Sequence, residues 1–200
     1  MSPLRRLLVA LTAALAVGGT VTTLALPAAA DPIWQLHYAN TTGSTHLAKP
    51  NATAAIPKST VDAQLDLATG ALTGQVQVPD FPVTIKLLNA LPVTAVTRLV
   101  PAGNLTGTLN GTLTTTTSFT LRLIKVYQPA LPKLNLVPST CRTASATTAT
   151  LRNTTPVDLF DTTVAGTYTI PRFTGCGALT PVLNLLLSGP GNGLTLRLLA

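Results

Sequence analysis

Glutamate is absent from this sequence, and histidine occurs only twice, beside six aspartates. General acid–base catalysis draws mostly on histidines and paired carboxylates, so a conventional hydrolytic centre has little to be built from. No serine stands in a G-x-S-x-G elbow. Asp62 and Asp66, four apart on an alternating segment, are about 13 Å from each other by strand rise, too far for a retaining glycosidase pair. His37 falls beside Gln35 on the more exposed face of a strand, and His46 lies in a polar stretch. Asp158 and Asp161 supply too few oxygens for calcium. The sequence therefore predicts no catalytic residue, no cofactor-binding residue and no metal ligand, and a protein that is not an enzyme. Aromatics are also scarce, and the thirteen lysines and arginines form no run. Nucleic-acid surfaces cluster charge and stacking rings, so nucleic acid is not an expected partner.

The apolar residues, by contrast, begin with a block. Arg5 and Arg6 precede a run from Leu7 that ends in Ala28-Ala29-Ala30, the pattern of a secretory signal peptide over residues 1–30 with cleavage between Ala30 and Asp31. A membrane anchor over Leu7–Leu26 is the competing reading, and Gly18, Gly19 and several threonines interrupt it. Arg5-Arg6 leaves twin-arginine export open beside ordinary secretion. The expectation is a secreted protein, extracellular or held at the cell envelope, with residues 31–200 as one domain and no transmembrane segment after cleavage. Without Arg5 and Arg6, eleven cations face six aspartates, a net charge of +5. That favours weak attraction to an anionic envelope polymer or lipid headgroup.

Two cysteines in an exported chain are expected to oxidise to each other, so Cys141 and Cys176 are assigned a disulfide. A redox pair or metal site fits less well, since there is no C-x-x-C spacing and neither histidine is near them in sequence.

Residues 31–200 contain 32 threonines, many alternating with Val, Leu and Ile, and β-branched side chains suit a pleated surface. The fold is expected to be all-β, an antiparallel β-sandwich or barrel with one short helix near the C-terminus. Val61, Ala63, Leu65 and Leu67 alternate with polar residues as a half-buried strand. Further strands are expected at 34–38, 75–78, 83–88, 95–100, 105–109, 113–126 (bent or divided), 144–151, 164–170 and 194–198. Asn110-Gly111 suggests a type I′ hairpin turn. "TPVLNLLLSGPG" predicts the helix, with Thr180 as cap, Pro181 at the first position, Gly189 at the exit and Val182, Leu183, Leu186 and Leu187 buried. Residues 40–58 read as an extended or loop segment.

The stretches "LDLATGALTGQVQVPDFPVTIKLL" and "GTYTIPRFTGCGALTPVLNLLLSGPGN" behind an alanine-rich leader resemble a group of secreted actinobacterial β-rich proteins of unknown function. The resemblance implies export and a β fold and adds no catalytic residue. The expected role is a non-catalytic structural or binding protein of the envelope or extracellular space. The alternatives are carriage of an apolar, lipid-like ligand, for which the many leucines could line a cavity, and a hydrolase without a recognisable motif.

Overall fold

A computed structural model describes residues 32–87 and 91–200; the leader and the Ala30–Asp31 junction lie outside them. The alternating, threonine-rich segments form twelve strands: β1 (Ile33–Leu47), β2 (Ala52–Asp66), β3 (Ala71–Gln77), β4 (Phe81–Leu87), β5 (Leu91–Pro101), β6 (Leu105–Leu109), β7 (Leu113–Tyr127), β8 (Arg142–Thr143), β9 (Thr147–Asn153), β10 (Asp161–Ile170), β11 (Phe173–Thr174) and β12 (Gly189–Leu199). One helix, α1 (Thr180–Leu186), precedes β12.

Strands β1, β2, β3, β6, β7, β9, β10 and β12 pair antiparallel in chain order, and the β12–β1 ladder closes the ring. Of the two architectures the sequence leaves open, the barrel is the one formed. Closure removes the sheet edges that an open sheet would present.

Two segments extend this barrel at one end. The β4–β5 hairpin rises between β3 and β6, and β5 pairs with the second half of β7, from Phe119 to Tyr127. β7 thus runs unbroken but changes partners, with β6 and β9 along its first half. On its other edge the short β8 and β11 form a two-residue ladder. β4 lies beside β2, yet among the described residues no ladder joins them.

Residues 40–58, expected as an extended or loop segment, are strand at both ends of a tight hairpin. Asn51, with φ of 47°, turns the chain between them. The sequence signal was weak because the β1–β2 register shifts twice, between Tyr38 and Thr41 and between Thr41 and Gly43. Each shift adds a residue to one strand, as a bulge does, so the inward set changes phase. It contains hydroxyls: Thr41, Thr45 and Ser59 are buried beside Leu47, Ala54 and Ile56.

The turn at Asn110-Gly111 is also different from expectation. Gly111 has φ of 80° but Asn110 is not at positive φ, and Leu109 pairs with Leu113 across three loop residues. This is the longer hairpin with a single left-handed glycine, not a type I′ turn. At the helix, Leu179 is the cap residue, and Thr180 instead links Cys176 N–H to the Gly177 carbonyl through its hydroxyl. Leu183 and Leu187 are buried and Leu186 packs on the core, whereas Val182 is exposed. Gly189 begins β12.

Candidate binding lumen

Inward positions of the barrel are nearly all apolar, but they do not fill it. One cavity of about 60 Å³ lies at the α1 end, walled by residues including Phe81, Val83, Ile85, Leu121, Tyr168 and Leu187. A second, of about 80 Å³, lies between Thr41, Val61, Leu105, Thr115, Leu151 and Val164. Ile56, Leu99, Phe119 and Leu194 line both, so the two spaces are stacked along one lumen with these four side chains between them. Each exceeds the ~10–15 Å³ that admits one water, and each is well below the ~300–1,000 Å³ of a drug-sized site. An eight-stranded barrel is wide enough for filling side chains or for one small ligand; the present lumen is partly filled and narrow.

The polar groups in the wall are hydroxyls, and Tyr168, Thr45 and Ser59 are paired. Tyr168 is held by the Thr45 hydroxyl at 2.7 Å, and Thr45 also donates to the Gly193 carbonyl. Burial pushes the Tyr168 phenol above its ordinary pKa, so it stays neutral. Its ring meets Phe119 edge-on at 6.1 Å. Ser59 donates to the Pro57 carbonyl. Thr41, directly across the ladder from Ser59, is 1% exposed and its Oγ1 has no protein partner.

The ends of the lumen are closed differently. At one end Leu36, Tyr38, Leu65, Leu72, Leu113 and Leu198 are packed in the core. At the other, α1 brings Leu183 and Leu187 to the apolar cluster beside Leu47 and Phe173. α1 is fixed there by Asn184, which accepts from Phe173 N–H and donates to its carbonyl. Cys141 and Cys176 are joined as expected, with Cα atoms 4.2 Å apart and both residues fully buried. This bond ties the approach to β8 to the turn that leads into α1.

Outside the barrel the histidines remain in solvent. His37 Nδ1 meets Asp62 Oδ1 across the β1–β2 ladder, with both side chains more than half exposed. Sequence reading left this pair unassembled; aligning Leu36 and Tyr38 with Ala63 and Val61 would have found it. Its shallow surroundings are glutamines, Asn104 and Thr73, without a serine or cysteine. His46 contacts Thr53. Asp66 closes its own turn by accepting from Ala68 and Thr69 N–H, and the Thr69 side chain, followed by those backbone bonds, lowers its pKa. Asp158 accepts from Phe160 N–H, while Asp161 is paired with Arg197. Among the described residues no three metal-ligating side chains gather, and no helix is long and apolar enough to cross a membrane.

Fold and site together define an eight-stranded antiparallel barrel with an apolar lumen. No family model, curated protein or solved structure matches the chain.

Proposed function

We propose that this protein binds, and does not transform, a narrow apolar molecule in the barrel lumen. The reading rests on one observation: two apolar cavities lie end to end and share Ile56, Leu99, Phe119 and Leu194 as common wall. Close-packed interiors tolerate few voids larger than a water, so stacked apolar spaces in one lumen are a departure that a ligand explains. The function fits a protein exported to the envelope or beyond, where an apolar molecule needs shielding from water. The buried disulfide suits that compartment.

Native mass spectrometry of protein recovered from a secreting actinobacterial host tests this directly. The expected result is an apolar adduct removed by organic extraction, after which the protein takes up the uncharged fluorophore N-phenylnaphthylamine with one site per chain. A protein that is empty as isolated and leaves that fluorescence unchanged would overturn the proposal.

A further inference from the structure

A narrow lumen needs a way in, and among the described residues the wall lacks a ladder between β2 and β4 with no helix laid over the gap, unlike the α1 end. β3 gives way to β4 at Val78–Asp80, and β5 gives way to β6 at Ala102–Asn104. Beside these breaks β2 has its bulge at Pro57–Lys58, and no ladder links it to β4. A surface cleft of about 580 Å³ opens there, with Lys58, Asp80 and Arg98 among its residues.

The cleft and the interior share a wall. Ser59, Val76, Val78, Leu99 and Pro101 line both the cleft and the 80 Å³ cavity. Leu99 lines all three spaces: the cleft and both cavities. Polarity is graded along this path. Lys58 is exposed at the mouth, while Ser59 and the unpartnered Thr41 hydroxyl stand opposite each other just inside. Beyond them the walls are mainly leucine, isoleucine, valine and phenylalanine, with Thr45, Thr97 and Tyr168 as the hydroxyl groups.

Charge at the mouth has a sign. Arg98 is held by Asp80 through two bonds of 2.7 Å, so these two cancel, and Lys58 is the cation left over in the cleft. We propose that this cleft is the portal of the lumen and that it selects a single-chain amphiphile with an anionic carboxylate head. The tail passes Leu99 into the stacked cavities, Leu99 acts as the gate, and the carboxylate remains at Lys58 with Thr41 and Ser59 within the neck. The two cavities stand one behind the other, an arrangement that suits one chain rather than two side by side. This inference rests on the lumen being a binding site.

Two probes separate the claims: cis-parinaric acid, an anionic fluorescent acyl chain, and its uncharged alcohol. Lys58 is exposed, so Lys58→Glu leaves folding intact. It should weaken the acid about three- to tenfold, the scale of reversing one exposed ion pair, and leave the alcohol unchanged. Added salt should narrow the difference. Leu99→Trp should slow uptake of both probes by on the order of tenfold, and Leu99→Ala should speed it. If both probes bind the wild-type protein and the Lys58 and Leu99 variants behave like it, the portal is overturned and the lumen reading stands. If neither probe binds the wild-type protein, both fall.

Discussion

The wall built from β8, β11 and α1 and the seam between β2 and β4 enclose the same lumen by opposite means. The first is short on ladder but fixed: β8 and β11 share two residue pairs, Cys141–Cys176 binds their flanks, and Thr140 donates to the Gly175 carbonyl. The second has β2, fifteen residues long, on one side and β4, seven, on the other, with no ladder between them among the described residues. The chain leaves one edge of β4 and the facing edge of the first half of β2 without a ladder, yet places its disulfide beside its shortest strands. Where a crosslink stands and where hydrogen bonds stop together indicate which part of the wall is meant to hold and which to yield.

The fixed wall also carries a strain that explains its tie. Arg122 of β7 faces Arg142 of β8 directly across the ladder, and like charges so placed are destabilising. Arg122 donates from Nε and Nη2 to the Ser139 carbonyl, which satisfies it without neutralising it. Replacing both cysteines by serine gives the largest effect expected on this side. The half-cystines are 35 residues apart, so the chain-entropy estimate is about 4 kcal/mol and the usual measured range about 2–4. The loss, read by urea unfolding, should be smaller at low salt than at high, because without the tie the arginine pair can move apart and that relief is largest where salt screens it least. Equal losses at both would mean that the tie acts only through the unfolded chain.

Tyr168 gives the next smaller test, inside the lumen near the fixed end. Tyr168→Phe removes its bond to Thr45 but leaves Thr45 donating to Gly193. The expected cost is about 1 kcal/mol, that of one buried neutral hydrogen bond. Binding of an uncharged probe should be retained; loss of binding without loss of stability would make the phenol a ligand contact.

The contrast between the two walls also bears on what the sequence could convey. The staple was readable because parity and compartment act on residue type alone, whatever the topology. Strands with strict alternation were readable for a similar reason, as Val61, Ala63 and Leu65 of β2 are all buried, whereas Leu67 lies past the strand's end in the turn and is exposed. The abundance of threonine marked outward faces as well as strands: Thr116 meets Thr150 and Ser118 meets Thr148 as hydroxyl pairs across the β7–β9 ladder. The seam was not readable. It depends on paired bulges that place Thr41 and Ser59 inward and on β4 lacking a second neighbour, and both are properties of register between distant segments. The helix fell between these cases: its apolar run was visible, but which leucines it buries depends on the barrel end it covers.

The smallest effect compares two ion pairs of the same chemistry. Hydrogen bonds from Arg98 hold the Asp80 carboxyl below its ordinary pKa, and those from Arg197 do the same for Asp161. Both contributions are fully present above the unfolded carboxyl value of about 3.9 and disappear as pH falls through the lower folded values. Being exposed, each adds little to stability, and neither Asp80→Asn nor Asp161→Asn should move the melting temperature appreciably. Their settings differ, since Asp161 and Arg197 sit on β10 and β12, which are laddered throughout, whereas Asp80 and Arg98 flank the seam. Asp80→Asn should therefore raise amide exchange in β5 and speed N-phenylnaphthylamine uptake, and Asp161→Asn should do neither. Lowering the pH through the depressed folded value of Asp80, beneath the ordinary carboxyl range, should speed uptake by the wild-type protein and leave Asp80→Asn unaffected, because the variant has no carboxyl there to protonate. Equal responses from the two variants would place the yielding part of the wall somewhere other than the seam.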